Sequence, residues 1–181
     1  PNKFVWRRRS RVKAYRQSNW RTLMSTATLA KQNTVSVIKP TAPAFFDPSK
    51  LPWTPWVMDG TYFKLLAVDV RSGGFTMLLK VDPDIESPPH YHIGNVEGIV
   101  LEGEFGYGDD RGAAGAYICE HGGVVHQPDS PGGTVMFAIG HGPIVGYNPD
   151  GSIAVVVDAK YMMNLAREAG AADHIDANFH V

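Results

Sequence analysis

The sequence predicts an all-β fold, and three observations lead to this prediction. From residue 62 onward, short runs of β-branched and aromatic residues follow one another at intervals of about 8–12 residues. Glycine, proline and aspartate, the residues of tight turns, lie between these runs. Only one segment has the composition and periodicity of a helix. This pattern is typical of a sandwich or barrel of antiparallel strands.

The runs predict eight strands, which cover residues 62–70, 75–81, 96–101, 104–108, 116–119, 134–139, 143–147 and 153–157. Ser72-Gly73-Gly74 and Asp150-Gly151 are expected to form hairpin turns. The glycines of Pro131-Gly132-Gly133 supply the positive φ that a loop requires.

One helix is predicted over residues 160–169, a segment rich in strong helix formers. Asp158 is placed to cap its start and Gly170 to end it. The apolar residues that share one face of this helix are Met162, Leu165, Ala166 and Ala169.

Upstream of the strands, residues 24–52 are polar and then rich in proline, which predicts an extended arm. Trp53 and Trp56 are interleaved with its last prolines and are expected to pack onto the body of the protein. The resulting division is a basic tail over residues 1–23, the arm over 24–52, one domain over 53–172 and a C-terminal tail over 173–181.

The charge is distributed unevenly along the chain. Residues 1–23 carry 8 of the 17 basic residues and no acidic residue, so the rest has 9 basic against 18 acidic residues, a net charge of −9. An acidic body argues against nucleic-acid binding. The basic segment fits a nucleic-acid or membrane tail, an organelle transit peptide, a disordered solvated tail, or sequence upstream of a start at Met24. We favour the last and expect that residues 1–23 do not belong to the native fold.

Length and composition exclude several classes of protein. A chain of 181 residues suits one domain, and 44% hydrophobic with 19% charged residues excludes a disordered chain. The single cysteine, Cys119, cannot form an intrachain disulfide, which favours a reducing compartment such as the cytoplasm. The longest apolar run, 153–157, is far shorter than the roughly 20 residues of a membrane-spanning helix, so no membrane partner is expected.

Three histidines carry the strongest chemical signal. His90 and His92 are two residues apart at the entrance of a predicted strand, so both imidazoles lie on the same face. His126 follows the pair Gly122-Gly123, which allows a tight turn that aims it inward. A lone histidine is more often a packed or surface residue, but three neutral imidazoles suit Zn, Fe, Cu or Ni rather than Mg or Ca. Three ligands also leave open positions for a substrate.

Glu97 is a candidate fourth ligand or a residue beside the ligands. In a regular strand, its odd offset of five residues from His92 places it on the opposite face. A bend over residues 93–95 would change that parity. The sequence leaves the two arrangements open.

These residues resemble the two motifs of the cupin superfamily. His90, His92, Glu97 and Gly103 match the first motif, with Glu97 one residue closer to the glycine than the motif has it. Gly123 and His126 match the second, whose proline is missing here. The resemblance implies the cupin double-stranded β-helix, a jelly-roll barrel, with an extended N-terminal arm and one C-terminal helix.

From about Trp53 to Gly170 the chain resembles the small single-domain cupins that include 2,4'-dihydroxyacetophenone dioxygenase, which also resemble the cupin domain of ChrR-type anti-sigma factors. This resemblance implies a histidine-only Fe(II) site made by His90, His92 and His126. Its activity would be cleavage of a carbon–carbon bond with O2 in a small substrate, an aromatic α-hydroxyketone such as 2,4'-dihydroxyacetophenone or a β-diketone.

Other functions stay open for the same site. A Zn or Ni isomerase or hydrolase would use the same three ligands. A non-catalytic metal-binding sensor is disfavoured, because residues 1–50 contain no His or Cys for the additional metal-binding domain of that class. A structural cupin that has lost its metal is disfavoured by the three retained histidines.

The substrate pocket and the assembly can be predicted only in outline. An aromatic substrate needs an apolar lining, although core packing is the commoner role for such residues. Open sheet edges and the proline-rich arm suggest a homodimer or homotetramer. The candidate lining residues are Trp56, Phe75, Met77, Phe105, Met136 and Phe137.

Overall fold

The computed structural model describes residues 45–178, in which thirteen strands form two antiparallel sheets. The prediction of an all-β fold is confirmed. The basic tail 1–23 and residues 24–44 of the arm lie outside the described residues. The strands are β1 Thr54–Pro55, β2 Thr61–Asp69, β3 Gly74–Val81, β4 Ile85–Glu86, β5 His90–His92, β6 Val96–Tyr107, β7 Asp110–Ala113, β8 Tyr117–Glu120, β9 Val125–His126, β10 Asp129–Ser130, β11 Thr134–Gly140, β12 Ile144–Tyr147 and β13 Ile153–Val157.

The larger sheet has the strand order β1-β2-β3-β11-β6-β10-β4, and β7 and β8 also pair with β6. The smaller sheet has the order β13-β12-β5-β9. The chain crosses between the sheets five times, after β4, β5, β8, β9 and β11. The smaller sheet therefore holds the segments that contain the three predicted metal ligands.

One long strand, β6, replaces the two strands predicted over residues 96–101 and 104–108. Gly103 adopts φ 73°, which kinks the strand without ending it. A Cβ on Gly103 would lie 2.0 Å from the carbonyl oxygen of Gly133, so only glycine fits there. The pairing with β11 shifts register between Val135 and Met136, which absorbs the irregularity.

The helix α1, Ala159–Glu168, confirms the predicted helix within one residue at each end. The Asp158 side chain accepts a hydrogen bond from the backbone N–H of Tyr161 at 2.8 Å, as expected of an N-cap. Gly170, with φ 65°, follows the helix.

The prediction of a tail over residues 173–181 is wrong for its first part. A second short helix, α2 at Asp173–Asn178, forms there because the fully buried Ile175 belongs to the core.

Residues 45–52, the described part of the arm, pack onto the domain. The neighbouring Trp53 and Trp56 also contact it, as the sequence predicts. A 3-10 helix, Pro48–Lys50, places the Pro48 carbonyl 3.1 Å from the buried Lys64 amine, which also lies 4.9 Å from the Trp53 ring centroid. The Trp56 indole donates to the sulfur of Met162 at 3.1 Å. The first of these contacts joins the arm to β2, and the last joins the segment that follows the arm to α1.

The core lies on the inner faces of β2, β3 and β11 and against α1. Alternate residues of β3 and β11 are buried, as the period of a strand requires. Burial of each large apolar side chain contributes roughly 1.5–3 kcal/mol. No helix within residues 45–178 is long and apolar enough to cross a membrane.

Three glycines allow the connections between the sheets to pack closely at one corner. A Cβ on Gly94 would lie 2.8 Å from the carbonyl carbon of His141 and 2.9 Å from the nitrogen of Gly142. A Cβ on Gly122 would lie 2.9 Å from the carbonyl carbon of Gly94. We call this contact of Gly94, Gly122 and Gly142 the glycine corner. It lies next to His92, whose carbonyl accepts a hydrogen bond from the Gly123 amide at 2.9 Å.

The substitution Gly94→Ala is expected to destabilise the protein by about 1–3 kcal/mol, because its Cβ meets backbone atoms that cannot rotate away. The measurement is the free energy of unfolding in urea. Gly132→Ala is the matched control, since a Cβ there has nothing within 4 Å. Equal stability of the two variants would contradict the steric account of the corner.

Candidate metal centre

The three predicted histidines converge at one point. His90 and His92 lie on β5, and His126 lies on the adjacent strand β9, where it pairs directly with His90. Their ligand nitrogens all lie within 4.8 Å of one another. Among residues 45–178 this is the one cluster of His, Cys, Asp or Glu with metal-binding spacing.

Hydrogen bonds orient two of the imidazoles toward a common centre. His90 Nδ1 lies 3.0 Å from the Pro88 carbonyl oxygen, which can only accept, so Nδ1 carries the proton. His126 Nδ1 lies 3.2 Å from the Tyr107 hydroxyl, whose own proton goes to Glu120 Oε1. Both Nε2 atoms are then unprotonated lone-pair donors.

These two Nε2 atoms are 3.1 Å apart, which two facing lone pairs do not favour without a cation between them. Two nitrogens that bind the same metal ion at about 2.0–2.1 Å are separated from each other by about 3.0–3.4 Å. The observed separation therefore fits two ligands of one ion.

His92 supplies a third donor. Neither of its ring nitrogens has a hydrogen-bond partner among residues 45–178, although the side chain is 4% exposed. A buried polar group without a partner costs about 1–3 kcal/mol, which a metal bond at Nε2 would remove. The donor set, three neutral imidazoles, suits Zn, Fe, Cu or Ni.

Burial keeps the three histidines neutral. Burial, and then the neighbouring charges of His90 and His126, lower the pKa of His92 to about 3. Burial and the charge of His90 lower the pKa of His126 to about 4. Burial also lowers the pKa of His90, and the hydrogen bond to Pro88 opposes it. At neutral pH, a metal therefore meets little competition from protons.

Glu120, which sequence analysis missed, is the carboxylate beside the histidines. Its Oε2 lies 3.6 Å from His92 Nε2, and its Oε1 lies 4.0 Å from His126 Nδ1. Burial raises its pKa to about 7. One sequence signal could have indicated Glu120. Side chains alternate between the two faces along β8, so Glu120 lies on the same face as the half-buried Ile118.

Glu97 does not fill the role predicted for it. Its carboxylate accepts hydrogen bonds from the Tyr117 hydroxyl and from His141 Nε2, the latter at 2.7 Å. The reason is the parity of β6, which directs Glu97 to the outer face together with Ile99 and Leu101, both exposed. The bend over residues 93–95 does not reverse that parity.

An apolar cavity of about 210 Å³ opens onto His90, His92 and Glu120. Four of the six predicted lining residues, Trp56, Met77, Phe105 and Met136, contribute to its wall. Phe75 and Phe137 do not. Phe75 lies near the start of β3, where it pairs with Val68 and Gly140 and is buried in the core, and Phe137 faces the side of β11 opposite to Met136. No Lys or Arg lines the cavity within the part of the chain that the structure describes.

A second cavity, of about 480 Å³, reaches the same centre from the side of β6, β7 and β8. His126 and Tyr107 lie on its wall, and Glu120 and Phe105 border both cavities. The centre is thus accessible from two directions.

Comparison with known proteins identifies the family. Residues 41–145 match the sequence profile of the ChrR cupin-like domain, which is more than half of the chain. The chain belongs to this cupin family. Comparison with curated proteins gave no match.

Solved cupin structures agree with this assignment. An RmlC-like cupin from Ralstonia eutropha is 25% identical, with a TM-score of 0.64 over 71% of this chain and 87% of that one. A second Ralstonia eutropha protein of unknown function with a cupin-like fold is also 25% identical, with a TM-score of 0.67 over 74% and 88%. An acetylacetone dioxygenase from Acinetobacter johnsonii shares the fold at 16% identity, with a TM-score of 0.62 over 74% and 97%. The predicted cupin fold is confirmed.

Proposed function

We propose that this cupin is a non-haem Fe(II) dioxygenase that cleaves a carbon–carbon bond of a small neutral ketone with O2. The observation that carries the proposal is the opening of a three-histidine centre onto a small apolar cavity. An α-hydroxyketone such as 2,4'-dihydroxyacetophenone, or a β-diketone, is the substrate class. Cleavage of the α-hydroxyketone breaks the bond between its carbonyl and hydroxylated carbons, and both oxygen atoms of O2 enter the two acids formed.

His90, His92 and His126 would hold the ion. Fe(II) bound there supplies Lewis acidity and redox chemistry toward O2. Because no carboxylate belongs to the ligand set, the site retains the full positive charge, which favours an enolate. The cavity excludes water from this enolate with side chains such as Met77, Phe105 and Met136.

Glu120 is the base that forms the enolate in this proposal. Its carboxylate borders the cavity beside His92 and accepts a hydrogen bond from Tyr107. In the metal-free protein, burial raises its pKa to about 7, so this carboxylate is more basic than an exposed one. Its Oε2, which lies 3.6 Å from His92 Nε2, is the atom that would take the α-proton of a ketone in this cavity.

The cavity wall also argues for a neutral substrate. It contains no Lys or Arg among the described residues, so a substrate carboxylate that does not bind the metal would be buried without a cationic partner. Glu120 would repel such a group further when ionised. Sugar acids and amino acids are therefore disfavoured in this cavity, whereas Arg111 lines the second one.

A non-catalytic metal-binding module is the second candidate, and membership of the ChrR cupin-like family favours it. Such a module would bind a metal through the same histidines without turnover. A Zn or Ni isomerase or hydrolase on the same ligands is a further alternative.

The deciding experiment measures metal content after purification without added metal, then oxygen uptake by the Fe(II)-loaded protein. The substrates are 2,4'-dihydroxyacetophenone and acetylacetone, and the Zn(II)-loaded protein is the control. Substrate-dependent uptake with Fe(II) alone supports the dioxygenase. Tightly bound zinc without uptake after iron loading would instead support the non-catalytic module or a non-redox enzyme.

Reducing the cavity is expected to weaken substrate binding but not metal binding. Met136→Phe fills space beside the histidines and should raise KM about 10-fold, equivalent to about 1.4 kcal/mol. Phe137→Leu, on the opposite face of the same strand, is the matched control and should leave KM unchanged. Equal KM values for both variants would show that the substrate binds elsewhere.

A further inference from the structure

A three-residue network lies on the outer face of the larger sheet, away from the histidines. Glu97 of β6 accepts a hydrogen bond from the Tyr117 hydroxyl of β8 and another from His141, which lies between β11 and β12. His141 and Glu97 are half-exposed, with their Nε2 and Oε2 atoms 2.7 Å apart. We call these residues the outer network.

The outer network joins connections that lead to the metal ligands. The turn that carries His141 continues into β12, which pairs with β5 so that Ile144 lies opposite His92. In the same turn, the His141 amide donates to the Asn95 carbonyl at 2.9 Å, and the Pro143 carbonyl accepts from the Ile93 amide at 3.0 Å. The turn thus lies directly against the connection that follows His92.

The position of the third ligand depends on the same corner. The connection that leads to His126 contains Gly122, whose amide donates to the Asn95 side chain at 3.0 Å. Glycines supply close packing there but no side chains that could hold the connections in register. Side-chain bonds that hold this corner must therefore come from other residues, and the outer network makes such bonds between β6, β8 and the turn.

We propose that Glu97, His141 and Tyr117 are positioning residues of the metal centre. They fix the turn between β11 and β12 against β6 and β8, and so set the separation between the ligands on β5 and β9. A metal centre tolerates errors of only about 0.2 Å in ligand distance, so a small shift of the corner lowers affinity. The inference rests on the proposed metal centre, but it does not depend on catalysis.

The test measures Co²⁺ affinity by competition with a chelator, together with the visible absorption spectrum of the Co²⁺ complex. His141→Ala is expected to weaken Co²⁺ binding by roughly 3- to 30-fold and to shift the absorption bands. His141→Gln, which keeps a donor for Glu97, should restore most of the affinity and the original spectrum. Tyr117→Phe should weaken binding in the same direction by a smaller factor.

Lys80→Ala is the matched control. Lys80 forms an ion pair with Asp82 at 3.2 Å, at an exposure similar to that of the His141–Glu97 pair and on the same sheet. Both variants are also compared in thermal unfolding of the metal-free protein. Loss of stability in both, with altered Co²⁺ affinity and spectrum in His141→Ala alone, supports a positioning role.

The outcomes separate this inference from the proposed function. If His141→Ala and Tyr117→Phe bind Co²⁺ as the wild type does while His126→Ala does not, the positioning role is overturned and the metal centre stands. If the wild type itself binds no Co²⁺, the metal centre is overturned and the inference with it. If His141→Ala does not fold, the comparison uses His141→Gln and Tyr117→Phe instead. Wild-type Co²⁺ affinity and spectrum in Tyr117→Phe would then overturn the positioning role.

Discussion

His126→Ala is expected to reduce the affinity for Fe(II) or Zn(II) by more than 100-fold while the β-structure is retained. Loss of groups that only orient ligands already costs about 10–100-fold in affinity, and loss of a ligand costs more. The fold should persist because His126 lies on a two-residue strand at the edge of the smaller sheet. The measurements are metal content, chelator competition and far-ultraviolet circular dichroism.

The matched control for this substitution is His121→Ala. His121 is exposed and lies on the same connection between β8 and β9, but it does not belong to the ligand cluster. Its metal affinity should equal that of the wild type. Unchanged metal occupancy in His126→Ala would refute the three-histidine site.

The stability of the metal-free protein is expected to fall by about 2 kcal/mol between pH 7 and pH 4.5. His92 and His126 have pKa values of about 3 and about 4 in the folded protein, against 6.5 ordinarily. Within this window the unfolded chain binds protons at both residues and the folded protein does not, so acid favours unfolding. The measurement is urea unfolding at several pH values in the presence of a chelator.

Glu120 acts in the opposite direction, because its pKa is raised from 4.5 to about 7. The folded protein therefore binds a proton at Glu120 before the unfolded chain does, and acid stabilises the folded state through this group. Glu120→Gln removes this compensation, so its stability should fall more steeply with acid, by about 2–3 kcal/mol more over the same window. A slope equal to that of the wild type would contradict the raised pKa of Glu120.

The choice between oxygenase and metal-binding module depends on what the two cavities admit. Both reach the histidine cluster, and Glu120 and Phe105 border both. A catalytic centre needs such access for an organic substrate and for O2, whereas a structural metal is normally closed off by four ligands. The three-ligand cluster and its open surroundings therefore favour catalysis.

Local patterns in the sequence were sufficient for the fold class and for the shared orientation of two of the three candidate ligands. Alternating apolar residues predict β2, β3 and β11, and the cap at Asp158 with the stop at Gly170 predicts α1. The His-x-His spacing places two imidazoles on one face of a strand whatever the rest of the fold is. These features depend on neighbours in the sequence, whereas the approach of His126 depends on the pairing of β9 with β5.

The surroundings of the ligands were decided by the tertiary structure alone. Glu120 comes near His92 because β8 pairs with β6. Glu97 points away from the histidines because of its position in the alternation of β6. Phe75 and Met77 are both buried, but only Met77 reaches the cavity. Such outcomes depend on strand register and on contacts between residues far apart in the chain. Sequence periodicity determines which face a residue occupies, and the packing of the two sheets determines what that face meets.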